Sequence, residues 1–119
     1  MKKKILVIDD DADVRSLAKI RLEASDFEVI LASNGEEGFQ KLETEKPNLV
    51  IVDIMMPKMD GYTLVQEIKA RSSIRDVPII ILTSRVGMKD LFEIEGVSDY
   101  ITKPYDVNDL LRTIRKHVR

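Results

Sequence analysis

The sequence predicts an α/β domain built on a parallel sheet with helices on both faces. Three observations predict it. Residues 5–8 (ILVI), 49–52 (LVIV) and 79–82 (IIIL) are continuous apolar runs, the pattern of strands buried on both faces rather than on one. Longer amphipathic segments alternate with such runs, strand then helix, five times over, which implies crossover connections and parallel pairing. The chain has 119 residues, 44% of them hydrophobic, enough for one core and too few for two. No Pro- or Ser-rich linker divides it, so residues 1–119 are read as one domain.

Each element has a local reason. The run at 5–8 is the first strand, and residues 12–25 follow as a helix, with Asp11 and Asp13 at its positive end. Residues 27–32 form the second strand. Ser33 and Glu36 stand at capping-box spacing and open a second helix, which runs to about Glu45. Pro47-Asn48 breaks it. The third strand, 49–52, ends on Asp53. Pro57 and Gly61 punctuate the next loop, and residues 62–71 are the third helix. Pro78 opens the fourth strand, 79–82, which ends on Thr83. A short helix is expected within residues 87–95. Residues 100–102 form the fifth strand, ending on Lys103-Pro104. The last helix is the clearest, with Val107, Leu110, Leu111, Ile114 and Val118 on one stripe.

In a parallel sheet every strand ends at the same edge, and ligands of open α/β sheets bind at that edge. Asp9, Asp10 and Asp11 follow strand one, Asp53 follows strand three, Thr83 and Ser84 follow strand four, and Lys103 follows strand five. Asp9, Asp10, Asp53, Thr83 and Lys103 are therefore expected to converge on one shallow pocket. Taken singly, each acid is an ordinary helix cap and each of the others an ordinary polar surface residue. The combination at four strand ends is what capping leaves unexplained. Two carboxylates about 4 Å apart repel by roughly 4 kcal/mol at an effective dielectric near 20. Lys103 supplies one offsetting charge, and a hard divalent cation such as Mg2+, held by one or two carboxylates plus water and phosphate, supplies more.

Composition removes other classes. With 19 basic and 21 acidic residues, net charge −2, there is no electrostatic case for direct nucleic-acid binding. No apolar stretch approaches the roughly 20 residues of a membrane helix, and the four-residue run behind Met1-Lys2-Lys3-Lys4 is too short for a signal peptide. Cysteine is absent, which excludes thiol catalysis and cysteine-based zinc sites and fits a reducing, cytoplasmic compartment. The single histidine, His117, lies among Arg115, Lys116 and Arg119 and reads as a solvated helix end.

Four stretches, "ILVIDDD", "LVIVDIMMPKMDG", "PIIILTS" and "DYITKPY", in this order on this alternation, resemble the receiver domain of two-component response regulators across essentially the whole chain. The resemblance implies a flavodoxin-like (βα)5 fold with strand order 2-1-3-4-5. It implies that Asp53 accepts a phosphoryl group from a phosphohistidine on a sensor histidine kinase or phosphotransfer protein. Asp9, Asp10, Asp53 and the backbone carbonyl of Met55 would bind Mg2+ or Mn2+. Lys103 would pair with a phosphoryl oxygen, Thr83 would turn its hydroxyl toward the phosphate, and Tyr100 would follow it inward. The Lys103–Pro104 bond would be cis, X-Pro being where cis costs little. The output face would be the last helix, strand five and the helix before it, serving a downstream protein or a phosphorylation-dependent homodimer. The chain departs from the family pattern in one place. The segment between Thr83 and Lys103 is shorter than usual, and Gly96-Val97 replaces the usual Gly-Ala pair. That departure does not carry the dimer face over intact, although Asp99 and Arg115 resemble members of its charged pair.

On this reading the protein is a switch and not a turnover enzyme. The alternative is a Mg2+-dependent phosphatase of the haloacid-dehalogenase type with Asp9 as nucleophile and Asp11 two residues later. It leaves Asp53 without a task and lacks a cap insertion. A flavin or nucleotide binder lacks the Gly-rich phosphate loop after strand one.

Overall fold

The computed structural model describes residues 2–53, 61–83, 97–102 and 105–118. Five parallel strands, β1 (Lys4–Ile8), β2 (Glu28–Ala32), β3 (Leu49–Asp53), β4 (Ile79–Thr83) and β5 (Asp99–Thr102), form one sheet in the order β2-β1-β3-β4-β5. The helices are α1 (Ala12–Ala24), α2 (Gly35–Glu45), α3 (Gly61–Ala70) and α4 (Val107–His117). The expected fold and strand order are therefore both found. The short helix expected within residues 87–95 lies outside the described residues.

The continuous apolar runs form the middle of the sheet because alternate residues serve opposite faces. Leu6, Ile8, Val50, Val52, Ile79 and Ile81 pack with Leu42 of α2 and with Leu64, Val65 and Ile68 of α3. Ile5, Val7, Leu49, Ile51, Ile80 and Leu82 pack with Ala18 and Leu22 of α1 and with Leu110, Leu111 and Ile114 of α4. Two layers of helix thus cover the sheet, each fully buried Leu or Ile contributing about 1.5–3 kcal/mol. The edge strands β2 and β5 are only partly buried.

Helix ends follow local chemistry. Asp11 caps α1, its Oδ1 accepting from the N–H groups of Asp13 and Val14 at 2.8 and 3.2 Å. The start of α2 corrects the sequence reading by one residue. Asn34, not Ser33, is the cap, accepting from Glu37 N–H at 2.9 Å. Glu37, not Glu36, reaches back, its carboxylate accepting from Ser33 N–H at 3.0 Å. Both residues of each pair suit the motif, and the structure uses the second of each. Lys46 closes α2 in the left-handed region, φ 47°, and Asn48 then exchanges two 2.8 Å bonds with the Lys4 backbone, aligning β3 beside β1.

The far end of α4 also departs from expectation. His117 is not a free solvated end: its Nε2 lies 3.0 Å from Asp99 Oδ2 at the start of β5. Arg115, which with Asp99 resembles the charged pair of the family's dimer face, is exposed in the single chain.

Candidate functional site

The site is assembled by strand register. Ile8 pairs with Val52 across β1 and β3, so the residues that follow, Asp9 and Asp53, leave the sheet side by side. Asp53 is in turn level with Leu82 of β4, one residue before Thr83. Oxygen atoms of Asp9, Asp10 and Asp53 lie within 4.8 Å of one another. Asp9 and Asp53 are buried, 1% and 7% exposed, while Asp10 faces solvent. They are the two buried charged side chains among the described residues.

Asp9 is held from several directions. Its N–H donates to Ala32 O at 3.1 Å, extending the β1–β2 ladder by one residue. Its Oδ1 accepts from Asp11 N–H at 3.0 Å. Its carbonyl accepts from Arg15 Nη1 at 2.7 Å, a residue the sequence reading left unassigned. Arg15 carries no motif signal, since its partner is a backbone atom.

Tyr100 is half-buried beside the cluster that contains Ile81, the residue opposite it in β4. Thr83 ends β4 opposite Thr102, and its side chain is not among those described. Met55, Lys103 and Pro104 lie outside the described residues. The structure therefore brings Asp9, Asp10 and Asp53 together and puts Thr83 and Tyr100 on the adjoining strands. Asp11 does not join the cluster through its carboxylate, which caps α1.

Three close carboxylates with purely oxygen donors suit a hard divalent cation. Two of the donors, on Asp9 and Asp53, are buried, and the third, on Asp10, is exposed.

Residues 5–115 match the family model described as the response regulator receiver domain. The chain belongs to this family. Its similarity to curated proteins includes 44% identity over 120 residues to the probable transcriptional regulator ycf27 of Porphyridium aerugineum, covering 99% of this chain and 49% of that protein. The chain thus spans about half the length of the curated relatives it matches first. Among solved structures, chemotaxis protein CheY4 of Vibrio cholerae superposes with a TM-score of 0.92 at 26% identity, over 99% of this chain and 100% of that one. The receiver domain of sensor histidine kinase PA1611 from Pseudomonas aeruginosa, described with a magnesium ion coordinated in its active site cleft, superposes at 0.90 with 26% identity over 98% of each chain. Among the described residues no helix of this receiver domain is long and apolar enough to cross a membrane. The family assignment also disfavours the phosphatase alternative.

Proposed function

We propose that residues 1–119 form one receiver unit that works in the cytoplasm as a phosphorylation-controlled switch, with Asp53 as the phosphoacceptor. An Asp53 carboxylate oxygen attacks the phosphorus of a phosphohistidine on a sensor kinase or phosphotransfer protein. The P–N bond breaks, the imidazole leaves with the electron pair and takes up a proton, and an acyl phosphate forms on Asp53. Carboxylates are established nucleophiles of this kind. Asp9, Asp10, Asp53 and the Met55 carbonyl would hold Mg2+ or Mn2+. When bound, that cation offsets charge on the phosphoryl oxygens, the main catalytic requirement of phosphoryl transfer.

The remaining residues read out the result. Lys103, followed by a cis bond to Pro104, pairs with a phosphoryl oxygen, and the Thr83 hydroxyl turns toward it. Tyr100 moves further into the space beside β4. Phosphorylation replaces the single charge of the Asp53 carboxylate with about 1.5–2 negative charges spread over phosphoryl oxygens, which biases an existing equilibrium between two shapes. The face carrying β5 and α4 then engages a downstream protein or a second copy of the chain. The protein turns over no substrate besides its own phosphoryl group.

The observation that carries this reading is the convergence of Asp9, Asp10 and Asp53 in a chain of the receiver family. The test is incubation with acetyl phosphate and Mg2+, followed by mapping of the label. One slowly lost phosphoryl group on Asp53, absent in Asp53→Asn, is expected. Rapid turnover of a phosphate monoester that survives Asp53→Asn and dies with Asp9→Asn would instead establish the phosphatase.

A further inference from the structure

Three successive peptide units run through the acidic turn, and each has its own partner. The unit between Ile8 and Asp9 is held by the sheet, Asp9 N–H donating to Ala32 O at 3.1 Å. The unit between Asp10 and Asp11 is held by Asp9 itself, whose Oδ1 accepts from Asp11 N–H at 3.0 Å. The middle unit, between Asp9 and Asp10, presents its carbonyl to Arg15, whose Nη1 donates at 2.7 Å. That distance is in the short range of charge-assisted bonds.

The middle unit matters most to Asp10. Asp9 is buried and fixed by the sheet, whereas Asp10 is exposed, so the aim of its carboxylate depends on the peptide planes flanking it. Arg15 is well placed to control one of them. Its own N–H donates to Asp11 O at 3.0 Å, so the first turn of α1 is built on the loop that its side chain then grips.

We infer that Arg15 is a positioning residue for the cation-binding carboxylates, its guanidinium fixing the Asp9–Asp10 peptide so that the Asp10 carboxylate faces those of Asp9 and Asp53. The inference rests on the cation reading of the cluster and assigns one residue's part in it. A purely electrostatic role for Arg15 has the opposite sign. A positive charge within roughly 8 Å of the cluster, the reach set by covalent geometry from the Asp9 carbonyl to its carboxylate, opposes cation binding. Removing only a charge would therefore tighten binding. Removing a clamp loosens it.

The experiment is titration of the full chain with Mn2+, following the free ion by electron paramagnetic resonance with no phosphodonor present. Arg15→Met, which keeps the stem and loses the donors, is expected to weaken Mn2+ binding about tenfold, as losses of partners behind metal ligands commonly do. Arg15→Lys, which can still donate to the carbonyl, is expected to recover most of it. Should Arg15→Met not fold, the milder Arg15→Gln is expected to move the same way. A merely structural role would lower the urea midpoint in EDTA while leaving the affinity of the folded protein unchanged. Unchanged or tighter Mn2+ binding in the folded Arg15 variants overturns the inference. Asp10→Asn separates the two levels. If it leaves Mn2+ binding intact, the cation reading itself fails; if it weakens binding and the Arg15 variants do not, only the role of Arg15 fails.

Discussion

His117 Nε2 and Asp99 Oδ2, 3.0 Å apart, tie the last turn of α4 to the first residue of β5. Both side chains are partly buried, 21% and 32% exposed, so the bond is less screened than a pair in open solvent. Asp99 uses its other oxygen to accept from Tyr100 N–H at 2.9 Å. One carboxylate thus sets both the seating of α4 and the start of the strand that carries Tyr100. His117→Ala is expected to cost about 1 kcal/mol, the typical worth of one such bond. Urea unfolding followed by circular dichroism measures it. An unchanged midpoint would show that the pair contributes nothing to holding α4.

At Gly38, α2 lies directly against Ile8 of the sheet. A β-carbon built there would lie 2.8 Å from Cγ1 of Ile8 and nearer still to its Cδ1. Ile8 is fully buried and has little room to yield. Overpacking of this kind costs typically about 1–3 kcal/mol, against a gain of up to about 1 kcal/mol in helix propensity. Gly38→Ala is therefore expected to destabilise by about 1 kcal/mol. Ile8→Val removes the atom that clashes most, so the double variant should lose less than the sum of the singles. Strict additivity in a denaturation cycle would count against the clash as the cause.

These two relationships also mark what the sequence could and could not reveal. The central strands were legible because burial on both faces leaves an unbroken apolar run, here short and rich in Ile and Val, which favours strand over buried helix. The meeting of Asp9, Asp10 and Asp53 was legible because parallel strands share one edge, whatever the distance along the chain. The cap of α2 was misplaced by one residue because Ser33-Asn34 and Glu36-Glu37 each offer two equivalent candidates. The local pattern ranks neither candidate above the other. His117 and Asp99 are 18 positions apart on different elements, and nothing periodic links them. Arg15 was missed for a related reason: hydrophobic pattern reads which face is apolar, not which backbone carbonyl a long polar side chain will reach.

The three carboxylates store repulsion that a cation should relieve. Asp10 is the exposed member, so its share is screened and worth from a few tenths to about 1 kcal/mol. Asp10→Asn is expected to raise stability by that amount in EDTA. The parent should gain stability with Mg2+, by about 2.7 kcal/mol at a hundredfold excess over Kd, and Asp10→Asn should lose most of that gain. Thermal melts with and without Mg2+ measure both effects. A variant less stable than the parent in EDTA, with an equal Mg2+ response, would remove Asp10 from the cation site.

Asp11 distinguishes capping from chemistry within the same acidic run. Its Oδ1 accepts from two N–H groups in the first turn of α1, which satisfies donors that would otherwise lack helical partners. Asp11→Ala is expected to cost about 1 kcal/mol, and Asp11→Asn or Asp11→Ser, both good caps, much less. None of the three should change the extent of labelling by acetyl phosphate, because the Asp11 carboxylate faces its own helix. The combination matters more than either half. Lost stability with intact labelling in Asp11→Ala fits a residue that builds the loop without entering the chemistry. Lost labelling in a stable Asp11→Asn would bring its carboxylate into the site and reopen the phosphatase reading, in which a second acid two residues after Asp9 is required.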